Sequence, residues 1–394
     1  MLLACAGGQE EETFHAVLEE CLNGPFNWDR LLRFSEFHQQ HALLFHRLSP
    51  NFRDRIPPEI LPRLRQEFTS NQWRNLNLIK ELNRILLQFS EHNIACIPFK
   101  GPLWAQSLYE NLALRWIADL DLMIHPEDIQ KAKKLLLSFG YVPIEALNEQ
   151  EEQLHLETDC EYEFTHPQIG VRVEIHWRFM PSHSTLYDTW SDNLWNRTIE
   201  VSLGKNLFRT LSPDDSFLYM VLHGGEKHQW ASMRFLLDFV RVVNGAWPID
   251  WSQVLAQARE INGMSSLAVA LYLCTTLFDV KIPDDVQRAC PPEPDVQAKT
   301  ALIRGRLFRD RFNLPGYREW LQYIRYHDTL STGETVRISN WSAPWCYLKA
   351  ISQPEFNDRA SLSDSLSRLP FSPYLARLLR LCGHHQASLL ERLR

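Results

Sequence analysis

The sequence predicts an α+β protein, in which a small mixed sheet with helices is flanked by N-terminal helices and a C-terminal helical domain. Two patterns indicate this class. Apolar residues recur at helical spacing before residue 94 and again after residue 211, whereas short apolar strands alternate with helices between them. We therefore expect an N-terminal helical region over 1–93, a mixed domain carrying the functional site over 94–210 and a C-terminal helical domain over 211–394.

The N-terminal region contains one long helical pattern between residues 57 and 93. Its apolar positions are Leu76, Ile79, Leu82, Ile85, Leu86 and Phe89. This spacing is typical of an amphipathic helix that packs one face against a core.

The middle region alternates strands and helices. IACIPF (94–99) is a predicted buried strand, and Pro102 then occupies a favourable first position of a helix. ADLDLMI is a second strand, followed by a helix that begins at Pro126 and ends before Gly140. CEYEFTH and VRVEIHWRF flank PQIG, which predicts a hairpin.

Helices are predicted again after residue 211. Ser212 is a candidate N-cap with Pro213 just inside the helix. MRFLLDFVRVVNG continues helically to a glycine stop. Residues 372–394 have the pattern of a basic amphipathic helix, for which packing on its own domain is favoured over binding a membrane surface or a partner helix.

Composition limits the classes of function. The formal net charge of -7 argues against broad, nonspecific nucleic-acid binding, although a local basic groove remains compatible with it. The eight cysteines form no CxxC pair, which favours reduced thiols in the cytoplasm. No apolar run reaches the roughly 18 residues of a membrane span. MLLACAGG lacks the basic start of a signal peptide, so we expect a cytoplasmic protein.

Two aspartates interrupt the apolar strand ADLDLMI. Side chains alternate along a strand, so Asp119 and Asp121 share one face, with Cα atoms about 6.6 Å apart. Both carboxylates can then reach one cation or a close metal pair. In VRVEIHW, Glu174 and His176 also share a face, and a neighbouring antiparallel strand would bring Glu174 against the aspartates.

Three converging carboxylates repel one another unless a cation neutralises them. Hard oxygen ligands suit Mg²⁺ or Mn²⁺, and two such ions can activate a nucleophile and stabilise a leaving pyrophosphate. The alternative is a solvent-facing strand surface, which is the commoner meaning of an isolated DxD. The upstream Lys-Gly pair and the third acidic residue favour a metal site formed by Asp119, Asp121 and Glu174.

These residues resemble the motifs of the nucleotidyltransferase superfamily, which has a DNA-polymerase-β-like catalytic fold. The chain is most similar to the bacterial family of uncharacterised nucleotidyltransferases. In that family a Lys-Gly pair after a strand precedes an arginine and an aspartate pair, matched here by Lys100, Gly101, Arg115, Asp119 and Asp121. EIHW at 174–177 and the histidine-rich turn with a later aspartate in LHGGEKHQWASMRFLLDFVRVV also fit. The resemblance covers most of the chain and is strongest over 97–141.

The chain departs from the wider superfamily in its nucleotide loop. Relatives usually carry Gly-Ser shortly before the aspartates, whereas here Lys100 and Gly101 stand well upstream of Asp119. The third carboxylate is Glu174 where many relatives have aspartate, and its longer side chain can still bind a metal.

The resemblance implies roles for the acidic residues. Asp119 and Asp121 would bind Mg²⁺ (or Mn²⁺) that bridges the triphosphate of an NTP. Glu174 would complete the second metal site and help to deprotonate the acceptor hydroxyl. Gly101 would allow the backbone to approach a phosphate closely. Lys100 is interpreted either as a phosphate contact or as a solvated lysine at the strand end.

Four further residues are interpreted in two ways each, and a fifth, Arg234, in one. Arg115 contacts phosphate or pairs with a carboxylate. His176 lies at the edge of the site or is a partly buried structural histidine. His223 and Lys227 are four residues apart on one helical face, which contacts nucleotide or is simply packed or exposed. Arg234 and Asp238 form an i, i+4 pair. We expect it to be a surface or interface ion pair that contributes little to stability.

The expected function is that of a cytoplasmic Mg²⁺-dependent nucleotidyltransferase. It would move an NMP from an NTP, such as ATP, to a hydroxyl of a small-molecule or peptide/protein acceptor and release pyrophosphate. An RNA acceptor is disfavoured by the negative net charge. Two alternatives are a toxin-like transferase that modifies tRNA or a host protein, and a non-catalytic nucleotide-binding or scaffold protein. The intact carboxylates argue against the latter.

Overall fold

The computed structural model describes residues 11–50, 52–109, 111–180 and 185–308, together with residues 1, 3 and 5. The structure is of the predicted α+β class. Residues 150–159 belong to a compact unit separate from the rest of the described chain. Helix α7 (Glu149–Thr158) falls almost entirely in that segment. The predicted amphipathic segment 372–394 lies outside the described residues.

Helices form the N-terminal part of the chain. They are α1 (Glu11–Leu22), α2 (Trp28–Phe37), α3 (His41–Leu48) and α4 (Ile60–Glu91). Asn27 caps α2, because its side chain accepts a hydrogen bond from the backbone N–H of Arg30. The four helices share a small core that includes Phe14, Leu32 and Leu64.

Helix α4 confirms the predicted amphipathic helix, but in its middle the buried residues are not the predicted ones. Leu82, Ile85 and Phe89 are buried as expected, whereas Leu76 is 43% exposed. Asn71 and Asn75 are buried instead. Both amides donate hydrogen bonds to carbonyl oxygens of residues 112–115, so this part of the helix faces a polar loop rather than an apolar core.

The central sheet has five strands in the order β1-β2-β5-β4-β3. The strands are β1 (Cys96–Phe99), β2 (Leu120–Ile124), β3 (Val142–Pro143), β4 (Glu161–Thr165) and β5 (Arg172–His176). Helix α5 (Gly101–Tyr109) connects β1 to β2, and α6 (Ile129–Ser138) connects β2 to β3. The predicted stop at Gly140 is confirmed, since this residue adopts φ +89° just beyond the helix.

The strand that carries Glu174 runs parallel to β2, so the predicted antiparallel pairing is wrong. The hairpin of β4 and β5 is confirmed. The antiparallel neighbour of β2 is β1, and that of β5 is β4. The register nevertheless places Asp121 opposite Glu174. Which sheet face a side chain occupies depends on the alternation within its own strand, and this holds for parallel and antiparallel strands alike.

The remaining elements follow β5 along the chain. They are α8 (Thr185–Leu194), β6 (Ile199–Leu203), β7 (Asn206–Thr210), α9 (Pro213–Leu222), α10 (Met233–Arg241), α11 (Trp251–Glu260), α12 (Met264–Phe278), α13 (Asp284–Ala289) and α14 (Pro294–Leu307). The predicted cap of α9 is confirmed, because Ser212 Oγ accepts a hydrogen bond from the backbone N–H of Asp215 at 3.1 Å. The main core joins Phe99 and Met123 of the sheet to residues of α9 and α10, such as Tyr219 and Leu236.

Two further expectations concern the environment of the chain. Cys5, Cys21, Cys96, Cys160, Cys274 and Cys290 are free thiols in the described residues, while Cys346 and Cys382 lie outside them. Among the described helices, none combines the length and hydrophobicity needed to cross a bilayer. The division at residues 93 and 210 stays a prediction.

Candidate active site

The polar side chains of the sheet meet helices α9 and α10 along one face. Asp121 on β2 lies beside Glu174 on β5, and the β1–α5 junction at Lys100 lies on the other side of β2. Phe99, which pairs with Asp121 across β1 and β2, packs against Tyr219 of α9. The carboxylates therefore lie at the border between the sheet and the C-terminal helices.

Asp121 is a buried carboxylate in which one oxygen contacts cationic groups and the other has no hydrogen-bond partner among the described residues. Its side chain is 1% exposed. Oδ1 accepts a hydrogen bond from Lys100 Nζ at 2.6 Å and lies 3.2 Å from His176 Nε2. Oδ2 is buried and has no hydrogen-bond partner within the described chain. A buried carboxylate oxygen without a partner is unfavourable, so this atom is available to a cation.

Asp119 and Glu174 are two electrostatically coupled carboxyl groups next to Asp121. Burial first, and then the negative charges of Asp121 and Glu174, raise the pKa of Asp119 to about 8. Burial alone would raise the pKa of Glu174 as well. The hydrogen bond from His176 and the charges of Lys227 and Lys100 outweigh burial and lower it well below its ordinary value. Of the two carboxyl groups, Asp119 is therefore the one that holds a proton more tightly.

His176 links three carboxylates from a fully buried position. Its Nε2 lies 3.2 Å from Asp121 Oδ1 and 3.4 Å from Glu174 Oε2, and its Nδ1 lies 3.3 Å from Glu161 Oε2. Burial would lower the pKa of His176, but hydrogen bonding, first of all to Asp121, raises it well above the ordinary value. The surrounding carboxylates therefore favour the protonated form of the ring.

Glu161 is a member of the site that the sequence interpretation missed. It pairs with His176 across β4 and β5, and both of its oxygens accept hydrogen bonds from Lys227 Nζ at 2.7 Å. Burial opposes its ionisation, but the charge of Lys227 prevails and lowers the pKa of Glu161 to about 2. The alternation in CEYEFTH already places Glu161 and Glu163 on one face, and this signal was available in the sequence.

Lys100 and Gly101 form a strained junction at the start of α5. Lys100 is 7% exposed, so its interpretation as a solvated strand-end lysine is wrong. The two residues adopt φ of +57° and +39°, in the left-handed region. A Cβ atom on residue 101 would lie 3.3 Å from the carbonyl oxygen of Asp119. Gly101 thus allows the start of α5 to approach the backbone of Asp119.

Arg115 pairs with a carboxylate rather than standing free. Its Nε and Nη2 donate hydrogen bonds to Asp238 of α10 at 2.8 to 3.1 Å, and the Tyr109 hydroxyl donates to the same carboxylate at 2.8 Å. The expected pair of Arg234 with Asp238 is therefore wrong. Arg234 instead donates a hydrogen bond to Gln39 at 2.7 Å, while Asp238 accepts from Arg115 and Tyr109.

His223 and Lys227 reach the site from a π-helical turn (His223–Lys227) that follows α9. His223 Nε2 lies 3.5 Å from Lys100 Nζ and 3.1 Å from His228 Nε2. Burial first, and then the charge of Lys100, lower the pKa of His223 well below its ordinary value, so the ring is neutral. The turn closes over Gly224, where a Cβ atom would lie 2.5 Å from the Trp230 ring.

The donor set fits a hard divalent cation. Ligand atoms of Asp121 and Glu174 lie within 4.8 Å of each other and of a ring nitrogen of His176, which could bind a metal only after losing its proton. Carboxylate oxygens dominate the set, as Mg²⁺ and Mn²⁺ prefer. The unpartnered Asp121 Oδ2 is the atom that a cation would satisfy. Within the described residues, a second cluster of Cys160, Glu161 and His176 shares the histidine.

Comparisons with known proteins give a matching family model and a similar solved structure. A family model described as "Uncharacterised nucleotidyltransferase" matches residues 24–279, which include the sheet and the helices on both sides of it. A crystal structure of an antigenic nucleotidyltransferase-like protein from Paracoccidioides brasiliensis is similar at 15% sequence identity, with a TM-score of 0.33. The match covers 52% of this chain and 94% of that chain. No curated protein matches the sequence.

Proposed function

The chain belongs to the uncharacterised nucleotidyltransferase family, and from this membership we propose that it is a Mg²⁺-dependent enzyme of the cytoplasm. It moves an NMP from an NTP, ATP included, to a hydroxyl of a small-molecule or peptide/protein acceptor and releases pyrophosphate. The observation that carries the proposal is the buried Oδ2 atom of Asp121, which lacks a hydrogen-bond partner among the described residues and lies beside Asp119 and Glu174. The free thiols of the six described cysteines support a reducing compartment.

The carboxylates hold the metal in this proposal. A divalent cation bound by Asp119, Asp121 and Glu174 would neutralise the triphosphate and stabilise the leaving pyrophosphate. Because the pKa of Asp119 is raised to about 8, this carboxyl must lose its proton before it can serve as a ligand. Glu174 is ionised at neutral pH and accepts the proton of the attacking hydroxyl.

Lys100 has two partners in the proposed reaction. Without substrate, its ammonium group neutralises Asp121 at 2.6 Å. With an NTP bound, the ammonium group of Lys100 can move to a phosphate oxygen, because the lysine side chain is flexible. The neutral ring of His223 beside it adds no competing positive charge. The N-terminus of α5, which begins at Gly101, adds the positive end of a helix dipole beside the same phosphate.

The surrounding ion pairs keep the ligands in position. Lys227 holds Glu161, Glu161 lies against His176, and His176 contacts both Asp121 and Glu174. Because each member is buried and charged, rotation of one carboxylate would leave another charge without a partner. We infer that His176, Glu161 and Lys227 are positioning residues for the proposed metal ligands.

Thermal-shift measurements with each NTP and Mg²⁺ test the proposed function. We expect at least one NTP with Mg²⁺ to raise the melting temperature of the wild type and of the Asp54→Asn control, which changes an exposed aspartate on a short helical turn. Asp121→Asn should remove this stabilisation. Incubation with labelled NTPs and a cell extract, followed by mass spectrometry, then identifies the acceptor. Equal stabilisation of Asp121→Asn and the wild type would contradict the proposed site.

A further inference from the structure

We propose that Tyr219 of α9 is a further substrate-binding residue, whose hydroxyl donates a hydrogen bond to a phosphate oxygen of the NTP. The sequence motifs did not single out this tyrosine, and its ring belongs to the main core. The inference rests on the proposed function, because that function supplies both the NTP and the cation that brings its phosphates to Asp121.

The Tyr219 hydroxyl is buried and has no partner of its own. Tyr219 is 1% exposed, and its hydroxyl oxygen makes no hydrogen bond within the described part of the chain. The rings of Phe99 and Phe179, with centres 5.3 and 4.7 Å from that of Tyr219, offer it no oxygen or nitrogen acceptor. Buried hydroxyl groups are normally hydrogen-bonded, because they have given up their bonds to water. This hydroxyl therefore favours an acceptor that arrives with a ligand.

The Tyr219 ring lies against Lys100, the residue proposed to move to a phosphate. Lys100 Nζ lies 5.0 Å from the centre of the Tyr219 ring and 2.6 Å from Asp121 Oδ1. The same ammonium group lies 5.3 Å from the centre of the Phe99 ring. Lys100 therefore connects Tyr219 directly to the proposed metal ligand. A phosphate that receives the Lys100 ammonium group is brought alongside Tyr219.

Tyr219 also belongs to a row of side chains along α9 and the π-helical turn that continues it. Tyr219, His223 and Lys227 recur at intervals of four residues, which places them on one helical face. The Tyr219 and His223 rings are stacked, with centres 5.1 Å apart. Lys227 Nζ donates to both carboxylate oxygens of Glu161 on β4. The row therefore follows the carboxylates of the sheet, and Tyr219 is its first member.

The environment keeps the hydroxyl in the form that donates. Burial first, and then the negative charge of Asp121, raise the pKa of Tyr219 well above its ordinary value. The hydroxyl thus retains its proton at neutral pH. A hydrogen bond to a charged oxygen is stronger than one to a neutral oxygen, and the phosphates of an NTP supply charged oxygens. A neutral donor also adds no positive charge that would compete with the cation for Asp121.

Tyr219→Phe removes the hydroxyl alone, and its stability without ligand gives the first test. Its melting temperature should equal or exceed that of the wild type, because the variant loses a buried polar group that has no partner. Tyr109→Phe is the contrast. The Tyr109 hydroxyl donates to Asp238 at 2.8 Å, so its removal should lower the melting temperature. A melting temperature of Tyr219→Phe below that of the wild type would reveal a partner within the protein and overturn the proposal.

Isothermal titration with ATP, CTP, GTP and UTP, each with Mg²⁺, gives the second test. Tyr219→Phe should bind the preferred NTP about tenfold more weakly than the wild type. The control Tyr272→Phe changes a tyrosine of α12 outside the candidate active site and should bind like the wild type. Equal binding by Tyr219→Phe and the wild type would overturn the role of Tyr219 alone. Failure of the wild type to bind any NTP would contradict the proposed function, and the phosphate contact with it.

Mn²⁺ titration without NTP, followed by electron paramagnetic resonance, separates a phosphate contact from an effect on the metal. Tyr219→Phe should bind Mn²⁺ like the wild type, because its hydroxyl is assigned to the substrate. Asp121→Asn should bind Mn²⁺ more weakly, since it changes a proposed ligand. Weaker Mn²⁺ binding by Tyr219→Phe would show that the hydroxyl acts through the metal ligands, and this would overturn the phosphate contact.

Discussion

At the scale of single residues, the most consequential contact is that of Lys100 with Asp121. Both side chains are almost fully buried, and their charged atoms lie 2.6 Å apart. A buried ion pair is weak support for stability as a whole, but removal of one partner leaves an uncompensated charge. Lys100 therefore neutralises Asp121, which would otherwise need a cation from solution to balance its buried charge.

We predict that Lys100→Met destabilises the metal-free protein by about 3 kcal/mol, because Asp121 loses its counter-charge in a buried site. Mn²⁺ should restore a larger part of the stability in this variant than in the wild type, since no ammonium group competes for Asp121. Urea denaturation with and without Mn²⁺ measures both effects. Lys80→Met, at an exposed position of α4, should change neither. A Mn²⁺ response identical to that of the wild type would contradict competition at Asp121.

Tyr141 and Glu81 give a second prediction at this scale. The Tyr141 hydroxyl donates a hydrogen bond to Glu81 Oε1 at 2.7 Å. Burial would raise the pKa of Glu81, but the hydrogen bonds from Arg84 and Tyr141 lower it below the ordinary value. A group whose pKa is depressed by folding stabilises the fold above its unfolded pKa, and this contribution disappears as the pH falls through the folded pKa.

Tyr141→Phe should therefore destabilise the protein by about 1 kcal/mol at pH 7, where Glu81 is ionised. The difference from the wild type should shrink as the pH falls below the ordinary pKa of glutamate. Denaturant unfolding at several pH values measures it. Tyr272→Phe is the control, because the Tyr272 hydroxyl has no hydrogen-bond partner in the described residues. A pH-independent loss in Tyr141→Phe would refute the role of Glu81 ionisation.

At the scale of elements, strand alternation predicted the carboxylate face, whereas local sequence could not predict which strands pair. Asp119, Asp121 and Glu174 were placed on common faces by their spacing alone. The direction of β5 relative to β2 depends on how the chain between them returns to the sheet, so the antiparallel expectation failed. Glu161 became part of the site only through its register opposite His176.

Helix α4 shows the same limit for helices. Its apolar periodicity predicted one buried face, but Asn75 occupies that face and Leu76 is exposed. The reason lies outside the helix, since the carbonyl oxygens of Leu112 and Arg115 require buried donors, which Asn75 supplies. Hydrophobic spacing carries no information about the hydrogen-bonding needs of a loop that is distant in sequence.

At the scale of the whole molecule, the proposed site depends on contacts between the sheet and the C-terminal helices. Asp238 of α10 is the anchor, because Arg115 and Tyr109 from the segment before β2 both donate hydrogen bonds to it. Arg115 and Asp238 are 15% and 7% exposed. The loop that leads into Asp119 is thus fixed to α10 on one side and, through Asn71 and Asn75, to α4 on the other.

Asp238→Asn tests this connection. The change leaves the buried Arg115 without its counter-charge, so we expect a loss of about 3 kcal/mol in the free energy of unfolding. The added positive charge should also weaken Mn²⁺ binding, because Arg115 is within electrostatic reach of Asp121. Urea denaturation and a Mn²⁺ titration followed by electron paramagnetic resonance measure the two effects, and Asp54→Asn serves again as the exposed control.

The double variant Arg115→Met, Asp238→Leu separates charge from packing. Replacement of both partners by apolar side chains removes the unpaired charge, so stability should recover to well above that of Asp238→Asn. Mn²⁺ binding should recover with it if charge alone weakened the site, since neither variant changes a proposed metal ligand. Stability that stays as low as in Asp238→Asn would show that the bidentate geometry of the pair, rather than charge balance, joins the sheet to the C-terminal helices.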